Sequence, residues 1–217
     1  MDELPCSATE SAAFGLDRDR VDAVGASVLG RGLAVMSRSI VVRSTWVPLC
    51  SGLVYEIAKN AGWAGAHGIW SVSDADLLVP LIGYVNADGS TGLERFVADD
   101  AADAARSGAE RLRQGRPEWA CAALVVDSYL RLPTGRVDAL VIDAVEYLPQ
   151  RRSVQFAVPF RPHTSAEGFA VFRLKFLAAD GFDQRDFDGL ADSFFSGVDS
   201  HEQAAAVWNA HLVDESV

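Results

Sequence analysis

Apolar and polar residues alternate most regularly in the second half of the chain. In residues 153–160 every second position is Val or Phe, and residues 169–178 repeat the pattern. Before them, residues 119–132 and 137–148 form two largely apolar runs joined by a Pro-Thr-Gly-Arg turn. Period-two alternation and short turns are typical of antiparallel strands. The pattern therefore predicts a four-stranded antiparallel meander within residues 119–178.

Helical periodicity is more common in the first half. Residues 17–33 carry apolar side chains at three- and four-residue steps and predict a helix, whereas the β-branched residues 40–47 predict a short strand. Residues 52–60 predict a short helix. The glycines of residues 62–68 predict that this helix ends there in a loop.

Two further segments precede the predicted sheet. Residues 77–85 are apolar and fit either a helix or an edge strand, since Pro80 would interrupt the hydrogen bonds of both. Thr91 and Glu94 have the spacing of a capping box, in which each side chain bonds the backbone amide of the other residue. They predict a helix that starts there and stops at Gly115.

The end of the chain, residues 184–213, predicts a pair of helices separated at Gly197 and followed by a free acidic tail. These elements give an α+β fold class. We expect a single domain over residues 1–217, mainly helical in 1–118. The four-stranded antiparallel meander of residues 119–178 is then packed against N-terminal and C-terminal helices.

Pairing the first two predicted strands across their turn places Leu132 opposite Val137 and divides the meander into an apolar and a polar face. The polar face carries carboxylates, cations and hydrogen-bonding groups: Asp127, Tyr129, Glu146, Gln155, Arg173 and Lys175. These residues predict a ligand-binding site, because neighbouring charges shift one another's pKa values and suit anion binding or acid–base chemistry. The alternative is a solvated sheet face with cross-strand ion pairs.

The same register points Asp143 toward the apolar face, which holds Leu124, Val141 and Phe156. A buried carboxylate needs hydrogen-bonding partners or a raised pKa. We expect either that Ser128 and a nearby donor satisfy Asp143, or that the register differs at this position. A local bulge or a sheet end is favoured here over a catalytic acid.

The composition narrows the classes of partner. Lys and Arg number 19 against 30 Asp and Glu, a formal net charge of -11, which opposes nonspecific binding to nucleic acid and to anionic membranes. No apolar run approaches the roughly 20 residues of a transmembrane helix. The acidic amino terminus also differs from a secretory signal. We therefore expect a cytoplasmic protein that binds neither nucleic acid nor membrane.

Cysteines and histidines add no further motif. The three cysteines lack the spacing of a disulfide framework or a zinc site. Cys50, just before the predicted helix of residues 52–60, could be an acidified thiol with His67 as its base, but we favour a structural cysteine. The four histidines form no metal-binding motif, so no metal or cofactor is expected.

Two functions are open at this point. The leading hypothesis is a noncatalytic intracellular binding or protein-interaction domain that associates with itself, as a homo-oligomer, or with a basic protein. Five tryptophans and eleven phenylalanines supply side chains that are typical of interfaces. The alternative is a small enzyme that acts on an anionic small molecule through Asp127, Glu146, Arg173 and Lys175. The cations would hold the charge and a carboxylate would move protons.

Overall fold

The computed structural model describes residues 52–74, 77–133, 135–182 and 187–217. The helix predicted over residues 17–33, the strand predicted over 40–47, and Cys50 lie outside the described residues. The described residues form four helices and one antiparallel sheet, so the predicted α+β class is confirmed.

The sheet has seven strands rather than the predicted four. In chain order they are β1 (Leu81–Asn86), β2 (Thr91–Arg95), β3 (Trp119–Leu132), β4 (Gly135–Glu146), β5 (Arg152–Arg161), β6 (Ala170–Val171) and β7 (Lys175–Asp180). They lie in the order β2-β1-β3-β4-β5-β6, and β7 pairs with the same edge of β5 as β6 does. The predicted meander is therefore extended at β3 by the β1–β2 hairpin. The ambiguous residues 77–85 contribute its first strand, with Pro80 just outside it.

The four helices cover both faces of the sheet. They are α1 (Gly52–Ser73), α2 (Ala101–Gln114), α3 (Phe187–Asp199) and α4 (Glu202–His211). Helices α1, α3 and α4 pack on one face, and α2 packs on the other. None of these described helices has the combined length and apolar character that crossing a bilayer requires.

The predicted helix start at Thr91 is wrong. Thr91 begins strand β2, and α2 begins only after Asp100, whose side chain accepts two backbone N–H bonds as its N-cap. Gly115 ends α2 as predicted. The Glu94 carboxylate forms an ion pair with Arg111 of α2 instead of capping a helix. A cap stabilises a helix by only about 1 kcal/mol, so pairing with β1 outweighs it.

The residues 62–68 predicted as a loop lie in the middle of α1, and Gly197, predicted to end a helix, lies within α3. Close packing explains both differences. A Cβ atom on Gly62 would lie 1.8 Å from the carbonyl oxygen of Phe194, and one on Gly197 would lie 1.9 Å from the carbonyl oxygen of Lys59. The backbones of α1 and α3 therefore touch, and only glycine fits at these two positions.

The division of the sheet into one apolar and one polar face is also wrong. The structure pairs Leu132 with Gly135, two residues from the predicted partner, which leaves the side chains of β3 and β4 on their predicted faces. In β5, however, Ala157 lies opposite Val141, so Phe156 lies on the α1 face rather than with Val141. Both faces are apolar in their middle because helices cover both.

The strand predicted over residues 169–178 is interrupted. Strands β6 and β7 pair with β5 in different registers, and residues 172–174 belong to neither strand. Pro159 of β5 lies at this break. Its nitrogen carries no proton and cannot donate to a neighbouring strand, so continuous pairing is lost there.

The acidic tail, predicted to be free, is bound at this break. The Val213 N–H donates to the Val171 carbonyl oxygen at 2.8 Å, and the Arg173 N–H donates to the Glu215 carbonyl oxygen at 3.2 Å. The Arg173 side chain also forms an ion pair with Asp214. The tail therefore satisfies backbone groups that β5 leaves without partners.

Gly62→Ala tests the backbone contact between α1 and α3. We expect it to lower the free energy of unfolding by about 2 kcal/mol or more, since overpacking against backbone outweighs the roughly 1 kcal/mol that alanine gains in a helix. Gly65→Ala is the matched control in the same helix. Its Cβ would meet the movable Ile142 side chain at 2.6 Å, so its loss should be smaller. Urea unfolding measures both, and equal losses would contradict the assignment.

Candidate functional site

The six predicted site residues do not meet in one place. Asp127, Tyr129 and Glu146 share the face that α1 covers, Gln155 and Lys175 lie on the opposite face, and Arg173 lies between β6 and β7. Glu146 pairs with Cys121, which is about 20 Å along β3 from Asp127 at the usual rise per residue. The structure keeps two pairs of this set together: Asp127 and Tyr129 on β3, and Arg173 and Lys175 at the C-terminal tail. Ligand binding by any of the six stays a prediction.

Arg173 and Lys175 hold the C-terminal tail. The Arg173 Nε lies 2.6 Å from Asp214 Oδ1. The Lys175 Nζ donates to the Val217 carbonyl oxygen at 2.9 Å and to Ser216 Oγ at 3.1 Å. Both cations are therefore engaged with the chain's own tail rather than with the predicted polar face.

Gln155, and not Ser128, is the partner of Asp143. Its Nε2 donates to Asp143 Oδ1 at 2.6 Å on the face that α2 covers. The pairing of β4 with both neighbours is regular here, so the predicted bulge or sheet end is wrong. Burial raises the pKa of Asp143 to about 6, and the hydrogen bond from Gln155 limits the rise.

Glu146 is a buried carboxylate with few contacts that offset the burial of its charge. It is 2% exposed, and neither carboxylate oxygen has a hydrogen-bond partner in the described part of the chain. The Arg152 Nε lies 3.7 Å from its Oε2. Burial raises the pKa of Glu146, and the charge of Arg152 opposes the rise. The fold therefore destabilises the ionised form of Glu146.

Asp127 and Tyr129 line a cavity of about 380 Å³ together with Arg136, Asp138 and His163, and we call it the aspartate cleft. Burial and the neighbouring Asp138 carboxylate raise the pKa of Asp127. The Arg136 guanidinium lies 4.0 Å from the centre of the Tyr129 ring, and its Nη2 lies 3.8 Å from Asp138 Oδ1. The arginine of this cleft is therefore already engaged by a ring and a carboxylate.

A second group of side chains was not predicted. Trp63, His67 and Trp70 follow one another along α1 at steps of four and three residues, so they share one side of the helix. His201 is the N-cap residue of α4, and Arg95 ends strand β2. We call these five residues the histidine cluster. The helical spacing on α1 was the available signal, but the glycines around it favoured a loop.

The histidine cluster is centred on His67. The His67 Nδ1 lies 3.0 Å from His201 Nε2, and the Arg95 Nη2 lies 3.1 Å from the Nε2 of His67. Trp63 stacks on both imidazoles, with ring centres 5.8 Å from His67 and 5.0 Å from His201. Trp70 meets the two rings edge-on at 5.6 and 5.8 Å. The aromatic rings therefore shield the histidine pair from water.

Hydrogen-bond counting keeps the histidine pair neutral. Arg95 donates into the pair at one end, and the Ala204 N–H lies 3.4 Å from His201 Nδ1 at the other. These two contacts and the one between the rings would require three lone pairs and one N–H, whereas two neutral imidazoles offer two of each. With Arg95 donating to His67 Nε2, the Nδ1–H of His67 donates to His201 Nε2, and the longest contact, that of Ala204, is left without a lone pair. A further proton would remove another lone pair. Burial, His201 and Arg95 accordingly lower the pKa of His67 to about 4.

A cavity of about 350 Å³ opens beside this cluster, and we call it the arginine cleft. It is lined by His67, Trp70, Ser71, Asp74, Leu77, Leu78, Val79, Leu81 and Arg95. Arg95 makes no ion pair with any carboxylate in the described ranges, although Asp74 lines the same cavity. The arginine cleft therefore combines largely apolar walls with a guanidinium that forms no ion pair among the described residues.

The two neighbouring histidines have no third possible metal ligand grouped with them among the described residues. Across the described segments, no group of three or more His, Cys, Asp or Glu side chains is placed to hold a metal ion. The facing nitrogens of His67 and His201 are at hydrogen-bond distance from each other.

No protein-family model, curated protein or solved structure matches this chain. A functional assignment therefore rests on the chemistry of the two clefts and not on likeness of fold.

Replacing His67 tests the neutral pair. The pKa of His67 is about 4 in the folded protein against an ordinary value of 6.5. The unfolded chain therefore binds the proton first, and the protein loses stability as the pH falls from 6.5 to 4. We expect this loss to be smaller by about 1–2 kcal/mol in His67→Gln, whose amide oxygen can still accept from Arg95.

Urea unfolding at pH 7 and pH 4.5 measures the effect. His163→Gln changes an exposed histidine and should follow the wild-type protein. Equal losses for His67→Gln and the wild-type protein would contradict a buried neutral imidazole.

Glu146→Gln tests the unpaired carboxylate. Because the fold raises the pKa of Glu146, the wild-type protein gains stability as the pH falls and this carboxyl takes up a proton. The variant should be more stable than wild type at pH 7 by about 1 kcal/mol, and the difference should shrink toward pH 4. Urea unfolding at both pH values checks this, with the exposed Glu118→Gln as control. A less stable variant at pH 7 would mean that the Arg152 pair outweighs burial.

Proposed function

We propose that the protein is a noncatalytic binding protein that takes up a small molecule in the arginine cleft. One observation carries the proposal: the exposed Arg95, without a carboxylate partner among the described residues, lines a cleft with largely apolar walls beside the buried neutral His67. Ligand pockets typically combine an apolar lining with a few polar groups that fix orientation. The volume of about 350 Å³ falls within the usual range for such pockets.

The chemistry of His67 favours binding over catalysis. A general base needs an accessible lone pair and a pKa near the working pH. Arg95 and His201 engage both ring nitrogens of His67, and its pKa is about 4. At neutral pH His67 is therefore a poor proton acceptor, and its contact with Arg95 orients the guanidinium in the cleft.

A small enzyme is the second candidate, with its site in the aspartate cleft. Of the four side chains predicted to act together, Asp127 lines this cavity. Its raised pKa beside Asp138 fits a carboxyl group that gives or takes a proton. Glu146, Arg173 and Lys175 would have no direct part in the reaction, because they lie elsewhere in the sheet.

The charge of the chain bears on location and partners. We propose a cytoplasmic protein, and its net charge of -11 favours a protein partner with a basic surface where that partner is not a second copy of the chain. Nucleic acid and anionic membranes do not attract a surface of this charge. Binding to a basic partner would weaken as the salt concentration rises.

A fragment screen read out by ligand-observed NMR tests the proposed cleft. We expect fragments that bind the wild-type protein and are lost in Ser71→Trp, because the indole would fill the arginine cleft. Thr164→Trp fills the aspartate cleft instead and should leave those fragments bound. Fragments lost only in Thr164→Trp would move the site to the second candidate. A wild-type protein that binds no fragment would contradict the proposal.

A further inference from the structure

Arg95 and His67 form a hydrogen bond that a ligand can break. Arg95 Nη2 donates to the Nε2 lone pair of His67 at 3.1 Å, and both groups line the arginine cleft. We propose that the cleft takes an organic anion, that the anion draws Arg95 away from His67, and that His67 then takes up a proton and becomes a second cationic contact. This inference rests on the proposed function and adds the ligand class and a coupling to pH.

The Arg95 guanidinium selects the anion. Its partner in the cleft is a neutral ring nitrogen, and it forms no ion pair with a carboxylate of the described residues. An oxyanion carries a charge opposite to that of the guanidinium, which the neutral nitrogen of His67 lacks, and hydrogen bonds between guanidinium and an oxyanion are frequently bidentate. The planar guanidinium matches carboxylate, phosphate or sulfonate groups in this way. An anion in the cleft therefore replaces His67 as the partner of Arg95.

When the anion draws the Arg95 side chain away, the Nε2 lone pair of His67 becomes free. His67 keeps the contact between its Nδ1 and His201 Nε2 at 3.0 Å, so a single proton is added at Nε2, and it comes from solvent. The new N–H donates to the bound anion, whose negative charge raises the pKa of His67. The only covalent bond that changes is this N–H bond.

Among the described residues, three charged or titratable groups contact His67 or line its cleft. Arg95, at the end of β2, disfavours protonation of His67 until the anion neutralises the charge of the guanidinium. His201, at the start of α4, contacts the Nδ1 of His67. Asp74 follows α1 and lines the same cleft, where its carboxylate repels an anion. With His67 charged, two cations face this one carboxylate, and the balance favours the anion.

The remaining walls select the body of the ligand. Trp70, Leu78 and Leu81 present an aromatic ring and two aliphatic side chains to the cleft. The exposed Leu77 extends the apolar surface at the same cavity. Apolar area contributes roughly 25 cal/mol for each Å² removed from water, so a hydrophobic body adds affinity that the charged group alone lacks. The chemical class is a small acid with an aromatic or aliphatic body.

Anilinonaphthalene sulfonate is the probe for this inference, because its sulfonate stays ionised across the pH range and its fluorescence rises in apolar sites. We expect it to bind about tenfold more tightly at pH 5.5 than at pH 7.5, as for a group whose pKa returns from about 4 to its ordinary value on binding. Calorimetry at pH 5.5 in two buffers with different heats of ionisation should show the uptake of close to one proton.

Three variants separate the steps. Arg95→Ala should lose binding at both pH values. His67→Gln should still bind at pH 7.5 but lose the dependence on pH. Arg106→Ala removes an exposed arginine of α2 and should behave as the wild-type protein. Near-UV circular dichroism at both pH values checks that each protein is folded, since the probe also binds partly unfolded chains.

The failures are distinguishable. Probe binding that survives Ser71→Trp lies outside the arginine cleft and overturns the proposed function together with this inference. Binding in the cleft that survives Arg95→Ala overturns the anion as ligand class. Binding that requires Arg95 but does not vary with pH overturns the proton uptake. In the last two cases the cleft is still a binding site and the proposed function stands.

Discussion

Direct contact between the backbones of α1 and α3 is the constraint on which the helical layer depends. At Gly62 and Gly197 each helix approaches the other so closely that a single methyl group would overlap a carbonyl oxygen. Gly65 then lets α1 lie against Ile142 of the sheet. Each glycine inside a helix costs roughly 1 kcal/mol in helix propensity. The dispersion contacts of a helix buried between α3 and the sheet offset that cost.

This contact also determines where the histidine cluster forms. His67 follows Gly62 along α1, and His201 follows Gly197 where α3 gives way to α4, so the packing that joins the glycines also joins the histidines. Arg95 reaches His67 from the far end of the β1–β2 hairpin. The cleft is thus built from three separate parts of the chain, and its shape depends on the helix packing beneath it.

The sequence predicts those strands and helices whose bounds are determined by local residue patterns. Strands β3, β4 and β5 lie within about two residues of their expected bounds, because alternation and turn chemistry act over short distances. The length of α1 and the strand at Thr91 are missed, because helix contact and strand pairing outweigh local glycine and capping preferences. Asp127 and Tyr129 stay together because they are neighbours on one face of one strand. His67 and His201 meet only through the packing of distant helices, which no local pattern encodes.

The interruption beside Pro159 affects how the sheet could grow by edge-to-edge addition. Strand edges with free backbone groups act as templates for pairing with other molecules, and proteins protect them by covering or interrupting them. Here the tail already occupies the backbone of Val171 and Arg173. A second copy cannot add a continuous strand along that side, and among the described strands only the outer edges of β2 and β7 are left for lateral polymerisation.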